Sequence, residues 1–337
     1  MQRTDCSNIL VTGGAGFVGS HICEQLLLSG MDVIIVDVLN SETSTVKEKK
    51  RHIELLKDVS RKKKVKIKVY KEDILNERHL VNIIKNEKPD CCIHAAALVM
   101  DRKSVQEPIR YIINNVKGTQ SLLNAIRLTD TIKRLVFISS RSAVGETSAS
   151  GDLMTENDLL RPINPYGATK AAAEALCHAF HKNFGISVSI CRMHPLYGPR
   201  CRRDMMPRLL FESVLNNTKV EKYGNGDEAI RDWLYVEDAA IGILAVLKCY
   251  DEFSIFNFGT GIATSLNELI QIVLNITGGE LNLKNKERPL GDAVFAGLCD
   301  RKKVKEILSW EPKIDLKTGL TNMYKYMIKE KTDKEKI

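Results

Sequence analysis

A strand-like run, Ile9-Leu10-Val11, breaks into Thr12-Gly13-Gly14-Ala15-Gly16-Phe17-Val18-Gly19, and a helical pattern starts at Ser20. Strand, glycines and helix in that order leave few folds open. The glycines suit a tight turn, close backbone approach to a diphosphate and close packing of the helix on the strand. The helix N-terminus adds unpaired N–H groups and the positive end of its dipole. A glycine triplet alone is as often an ordinary turn, but here a second strand-like run, Asp32–Asp37, follows. Its closing Asp37 stands about twenty residues past the glycines, where a carboxylate accepts the ribose hydroxyls of an adenosine. No arginine follows directly to hold a 2′-phosphate, so the pattern favours NAD over NADP.

The first two thirds of the chain alternate short β-branched runs with helical patterns, the signature of βαβ units around a parallel sheet. Six strands are expected, at Ile9–Thr12, Asp32–Asp37, Val65–Tyr70, Cys91–His94, Arg134–Ser139 and Ser187–Arg192. The third alternates Val65, Ile67 and Val69 with Lys66 and Lys68, which suits a charged edge strand, and in the order 3-2-1-4-5-6 the third strand is an edge. The expected fold is therefore α/β, a Rossmann-like doubly wound parallel sheet. Beyond Pro199 the pattern loosens into short strands such as Ser254–Phe258, helical stretches such as Leu266–Ile276 and loop signals at Gly278-Gly279 and Pro289-Leu290-Gly291. We read 1–198, with part of 233–260, as the dinucleotide-binding domain. Residues 199–232 and 261–330 form a smaller C-terminal lobe, and 331–337 a flexible tail.

Composition narrows the class. Hydrophobic residues at 44% and charged residues at 27% are ordinary for a globular protein. No run approaches the roughly 20 apolar residues needed to span a membrane. The polar stretch Met1–Asn8 lacks the apolar segment of a secretory signal, so a cytoplasmic location is expected. Nine cysteines without a C-x-x-C pair read as free thiols, several of them small hydrophobes inside apolar runs, and no metal site is expected. The net charge of +8 is concentrated at Lys47–Arg51, Arg61–Lys71 and the C-terminal tail. Such clusters are solvated surface, and without interleaved aromatics they argue against a nucleic-acid partner. An anionic, phosphate-bearing small molecule suits this balance.

Tyr166 and Lys170 stand one helical turn apart in Asn164-Pro165-Tyr166-Gly167-Ala168-Thr169-Lys170, so one helix face carries both. A preceding strand ends in Ser139-Ser140, which brings a hydroxyl to the same cleft. An ammonium beside a phenol stabilises phenolate and lowers the tyrosine pKa, making it a usable general base. Asp73-Ile74, after the third strand, is placed to reach an adenine ring; the other reading of Asp73 is a helix N-cap.

These residues stand among many ordered matches, and the chain resembles the NAD-dependent epimerase/dehydratase family of extended short-chain dehydrogenases along nearly its whole length. The matching segments are His94-Ala95-Ala96-Ala97 through Arg102 and Ser104, Asn115-Val116-Lys117-Gly118-Thr119, Ser139 to Gly145, the Tyr166/Lys170 pair and Tyr197-Gly198-Pro199-Arg200. Arg231-Asp232-Trp233-Leu234-Tyr235-Val236-Glu237-Asp238, Gly291-Asp292 and Trp310-Glu311-Pro312 complete the series. The resemblance implies an NAD site built from Gly13, Gly16, Phe17, Val18, Gly19, Asp37, Asn40, Asp73, Ile74, Ala95, Ala96 and Asn115, together with Tyr166 and Lys170. It gives Ser140 the place of the catalytic hydroxyl, Tyr166 that of the general base and Lys170 that of its electrostatic partner. The C-terminal lobe is then expected to hold a nucleoside diphosphate-sugar. Arg231 and Arg288 would clamp its diphosphate, Tyr223 line its base pocket, and Arg102, Arg141 and Ser142 face its sugar. A homodimer through the helices around Asn115–Arg127 and Tyr166–Phe184 is implied as well.

Dehydratases of the family carry an Asp-Glu pair after the catalytic hydroxyl residue; this chain has Arg141-Ser142, so elimination lacks its acid and base. Decarboxylating relatives tend to carry glutamate where Ser142 stands. What remains is hydride removal from the sugar and its return, an epimerisation at C4. The segment Asn40–Leu56, the Arg102/Ser104 pair and Arg203-Asp204-Met205 after Tyr197–Arg200 are similar to UDP-glucuronate 4-epimerases. Arg141, Val144 and Pro195 depart from that group. Arg141 would suit a substrate carboxylate, because guanidinium binds carboxylate bidentately; the bland reading is a surface arginine. A reductase or dehydrogenase with a single hydride transfer, a decarboxylase of the same family, and a catalytically silent NAD-binding regulator remain as alternatives.

Overall fold

Alternation along each run decides which side chains face which helix layer, because successive residues of a strand point to opposite faces. The computed structural model describes residues 6–40, 43–147, 152–249, 252–293 and 296–335. Its central sheet has seven strands: β1 (Asn8–Thr12), β2 (Asp32–Asp37), β3 (Ile67–Lys71), β4 (Cys91–His94), β5 (Arg134–Ser140), β6 (Ser187–Met193) and β7 (Phe253–Phe258). They lie in the order β7-β6-β5-β4-β1-β2-β3 and every neighbouring pair is parallel. Ile9, Val11, Val33 and Ile35 enter one apolar cluster with Ile22 and Leu26 of α1 (Phe17–Leu28). Leu10, Ile34 and Val36 enter the other, with Leu80 and Ile84 of α3 (Glu77–Glu87) and Leu122 and Ile126 of α5 (Gly118–Thr129). The strands are apolar on both faces because helices cover both.

The expected edge strand is at the edge, but it starts two residues late. The helix α2 (Val46–Lys63) ends with Lys64 in a left-handed conformation, and Val65 N–H still caps it by donating to Ser60 O. Lys66 N–H then donates to the Asp32 carboxylate, so pairing begins at Ile67. β7, at the opposite edge, is the return of the chain from the 233–260 region beside β6.

After Pro199 the chain adds α7 (Met206–Asn216), α8 (Val236–Lys248), α9 (Leu266–Thr277), α10 (Leu316–Glu335) and a parallel pair at Val220–Tyr223 and Leu283–Lys286. Their residues Leu210, Phe211, Val220, Leu269, Val273, Leu320 and Met323, with Trp310 from the loop before α10, belong to the same apolar cluster as β1.

Two expectations are corrected. Residues 331–335, read as flexible tail, continue α10: Met323 is buried and Met327 packs on the core, which anchors a run of good helix formers, and Lys331 Nζ reaches Leu215 O at 2.9 Å. Lys336 and Ile337 lie outside the described residues. Nor are all the cysteines free. Cys6, just before β1, and Cys91, opening the neighbouring β4, are joined in a disulfide, a pairing that their 85-residue separation hid from the sequence. Six of the other seven, Cys23, Cys92, Cys177, Cys191, Cys201 and Cys299, are buried thiols.

Candidate active site

Between β1 and β4 the sheet order reverses direction, and in open α/β sheets a ligand crevice forms outside the strand ends at such a point. Gly13 has φ +72° and lies so close to β4's exit that a Cβ there would sit 2.8 Å from Ala96 Cα. At Gly19 a Cβ would meet Gly13 O at 2.1 Å. The helix α1 has Gly16 as its N-cap, with no side-chain cap hydrogen bond and no acidic residue in its first turn. Some helices close theirs, α2 with a Thr45/Glu48 capping box and α9 with Ser265/Glu268, while α5, α7 and α8 also lack a side-chain cap. The open N–H groups and the uncapped dipole fit a diphosphate.

Asp37 ends β2 with three donors on its two oxygens and acceptor capacity left on Oδ2. Its carboxylate accepts from Ala15 N (3.1 Å), Leu39 N (2.8 Å) and Lys49 Nζ (2.7 Å), the last in a buried ion pair. Lys49, from the first turn of α2, is a cation that the sequence reading missed by looking only directly after the strand. Asn40 is exposed. Asp73 Oδ1 accepts from Leu75 N, while the N-cap of α3 is Asn76, so the cap reading of Asp73 does not hold. Ile74 is buried against Gly118. Asn115 sits in a π-helical turn, Ile112–Lys117, and is used up internally: it donates to Leu98 O and Thr169 Oγ1 and accepts from Leu98 N. It holds the loop that leaves β4 against α6 (Pro165–Phe184).

A cleft of about 630 Å³ runs from this crevice to the C-terminal elements. Its lining includes Phe17, Val18 and Ala95 from the glycine loop and the exit of β4, then Ser140, Tyr166 and Lys170, and also Arg102, Arg141, Ser142, Tyr223, Arg231 and Arg288. Tyr166 is placed by the start of α6, where Asn164 Oδ1 accepts from Gly167 N and Pro165 fills the first position. Ser140 closes β5 and its Oγ accepts from Ser142 N at 3.1 Å.

The tyrosine pKa is not lowered. Burial is the largest effect on Tyr166 and the Asp101 carboxylate adds to it; together they outweigh Arg202, the Ser140 hydroxyl and Arg141 and push the phenol up to about 12. Lys170, although on the expected face, turns its Nζ to Ile138 O at 2.8 Å. Burial brings Lys170 down to about 8, against the pull of Glu174. Glu174, one turn on, holds Arg192 in a buried ion pair at 2.8 Å and accepts from Ser139 Oγ.

Arg141 is no surface residue: it is buried in the cleft wall, with Nη1 donating to Gly145 O at 3.1 Å. Arg102 pairs with Asp292 at 2.9 Å and its guanidinium lies 4.1 Å over the Tyr223 ring. Arg231 reaches the same Asp292 and donates to Ala293 O; burial, with Arg141 next, lowers it to about 10. Arg288 stands 3.9 Å from Glu228. Three cleft residues were missed. Asp101 directly precedes Arg102, and its only signal was the start of a helix in the cleft loop. Arg202 lies three residues past Pro199. His194, buried 3.8 Å from Asp232 and carried down to about 4 by burial, directly precedes the noted Pro195.

A parallel sheet with an uncapped glycine-loop helix, and a cleft carrying Ser140, Tyr166 and Lys170, define an enzyme of the extended short-chain dehydrogenase/reductase class. The family model described as GDP-mannose 4,6 dehydratase matches residues 10–323, and the chain belongs to that NAD-dependent epimerase/dehydratase family. It is 33% identical over 322 residues to an uncharacterized UDP-glucose epimerase of Bacillus subtilis (strain 168), covering 95% of this chain and 97% of that one. It is 32% identical over 314 residues to the UDP-glucuronate 4-epimerase of Thermodesulfobacterium geofontis (strain OPF15), covering 92% and 93%. The structure of UDP-glucuronic acid 4-epimerase from Bacillus cereus, in complex with UDP-glucuronic acid and NAD, matches with a TM-score of 0.86 and 31% identity, covering 96% of this chain and 99% of that chain.

Proposed function

We propose that this chain inverts C4 of the sugar in a UDP-sugar with NAD as cofactor, and that the sugar is glucuronate. The crevice residues fit the dinucleotide: open N–H groups at α1 for its diphosphate, and Asp37 beside the glycine loop for its adenosine ribose. NAD bound there supplies the acceptor, and then the donor, of the hydride at C4. Tyr166 takes the proton of the 4-hydroxyl as hydride leaves C4. Ser140, whose hydroxyl neighbours the phenol, shares that proton, and the cationic wall of Arg202 and Arg141 favours the phenolate that must form. The 4-keto sugar turns within the cleft, Tyr166 returns the proton, and hydride returns to the opposite face. Elimination lacks its acid and base at Arg141 and Ser142.

The observation that supports a uronate is the burial of Arg141 in the cleft wall. Desolvation strengthens a guanidinium–carboxylate contact, and such a charge-assisted pair is worth about 1.5–3 kcal/mol, roughly ten- to a hundredfold in kcat/KM. The test is kcat/KM for UDP-glucuronate and UDP-glucose, read by NMR as C4 inversion, in wild type and Arg141→Ala. The uronate should lose that factor and the neutral sugar should change little; equal losses would refute the uronate reading. The dinucleotide domain is drawn at 1–198 with part of 233–260, and the lobe at 199–232 and 261–330. A homodimer is supported by Phe184, at the end of one of the two segments implicated in pairing, and by Ile109, Ile112, Ile113 and Leu128, which flank the other; all five are apolar and exposed.

A further inference from the structure

We infer that Asp101 is the hydrogen-bond acceptor for the hydroxyl on the ring carbon next to the reacting one, C3, and so selects the substrate's sugar.

Asp101 opens the short helix α4 (Asp101–Gln106) and lines the cleft. Its Oδ1 is buried and has no hydrogen-bond partner among the described residues. A buried carboxylate oxygen without a donor is costly, and such an oxygen persists where something else supplies the donor. The other acids of the cleft are held. Asp292 takes Arg102 and Arg231. Asp204 leaves one oxygen unpaired but is fixed through the other by Arg202 at 3.0 Å. Arg141 is a counter-charge for Asp101 and not its donor: the hydrogen bond of its Nη1 goes to Gly145 O. The backbone concurs, since Met100, immediately before, has φ +107°, a conformation that an L-residue keeps only where its surroundings enforce it.

Position follows from Ser104. Its Oγ donates to Asp101 O at 2.5 Å and accepts from Tyr166 N at 3.0 Å, which fastens the first turn of α4 to the first turn of α6. The Asp101 carboxylate therefore stands beside the general base, and it is the second cause, after burial, that raises the phenol. A sugar with its 4-hydroxyl on Tyr166 offers such a neighbour a group on one of the two flanking carbons: the hydroxyl on C3 or the exocyclic group on C5. The choice of C3 rests on the uronate reading above. In a uronate the exocyclic group is a carboxylate, which Arg141 attracts and Asp101 repels, whereas the C3 hydroxyl is a donor that matches the open oxygen.

The experiment is a cycle between protein and substrate. UDP-glucose, its 3-deoxy analogue and its 6-deoxy analogue are turned over by wild type, Asp101→Asn and Asp101→Ala, with a thermal melt to verify folding. Wild type should disfavour the 3-deoxy sugar by about ten- to a hundredfold in kcat/KM, the range of a hydrogen bond to a charged group. In Asp101→Ala that gap should shrink to about threefold or less, with Asp101→Asn between, since its amide oxygen still accepts. A second readout separates this from a structural role. Facing Tyr166 are Asp101, Arg141, Arg202 and the Ser140 hydroxyl, so removing the single negative charge should move the rising limb of the pH–rate profile to lower pH. Coupling at C6 in place of C3 would overturn the C3 assignment and the uronate reading with it. Equal losses on all three sugars with an unmoved pH limb would overturn the role of Asp101 and leave the uronate reading standing.

Discussion

Replacing Asp37 by Ala tests the cofactor site through a ratio that a merely structural effect does not move. The carboxylate carries three donors, and its partner Lys49 is almost as buried as it is, at 7% and 2% side-chain exposure. Removing one member of a buried pair costs about 3–5 kcal/mol, so the variant should melt at a lower temperature. The nucleotide effects run in opposite directions. NAD loses a charged acceptor for its ribose, about 1.5–3 kcal/mol or ten- to a hundredfold in Kd. NADP escapes a like-charge repulsion of up to about 4 kcal/mol at 4 Å and an effective dielectric of 20, and gains Lys49 as a free cation. The NAD to NADP preference should therefore fall by about a hundredfold or more in equilibrium titrations with each nucleotide. Lys49→Met should keep the preference for NAD, because the carboxylate stays. If Asp37→Ala weakens both nucleotides equally, Asp37 serves only to fix Ala15 in the glycine loop, and the ribose assignment falls.

Tyr166→Phe should leave the fold and NAD binding intact and lower kcat by about a hundredfold or more; turnover near wild type would remove Tyr166 as the base. Burial holds Lys170 near 8, so its positive charge is present below that pH and lost above it. Wild-type kcat should accordingly stop rising as pH passes about 8, because loss of the Lys170 charge offsets the further ionisation of Tyr166, and Lys170→Met should be slower with that break absent; an identical break in the variant would show that another group titrates there. Arg192→Met leaves Glu174 buried without its partner and should cost about 3–5 kcal/mol in a urea titration, against little change for an exposed pair such as Lys133–Asp130. Light scattering should give a dimer mass at micromolar concentration, and Ile113→Asp should shift it to the monomer; a monomeric wild type would contradict the pairing.

What the sequence made legible was what a period or a motif encodes. Two-residue alternation and β-branched runs located the six strands of the dinucleotide half, and the glycine loop fixed where β1 gives way to α1. The spacing of Tyr166 and Lys170 placed both on one helix face. It did not reveal where the Lys170 ammonium turns, because that depends on Ile138 O, a carbonyl at the end of a strand more than thirty residues earlier. Nor did it reveal the sign of the tyrosine shift. Sequence counts the nearest cation, whereas the phenol responds first to burial and then to Asp101, both of which exist only once the cleft is assembled. The Cys6–Cys91 bond and the Asp37–Lys49 pair were hidden for the same reason: neighbouring strands, and a helix folded back on a strand end, bring together groups without a shared period.

The charged wall of the cleft shows where this matters most for function. Arg141 was recognised as a departure from the group it resembles and carried two readings, a substrate contact or a surface cation; its burial removes the second. Asp101 drew no notice, since a lone acid at the start of a short helix reads as a favourable dipole contact. In the folded cleft both line the wall, Arg141 as a buried cation and Asp101 with one carboxylate oxygen that has no partner among the described residues. A neutral sugar satisfies only the acceptor, and a uronate satisfies both, provided that its carboxylate and its C3 hydroxyl lie on opposite sides of C4. The hexuronate ring has that arrangement, because C3 and C5 flank C4. If the proposed uronate and C3 assignments hold, Arg141 and Asp101 act as two halves of one recognition device, and mutating either should change the effect of mutating the other by more than additivity allows.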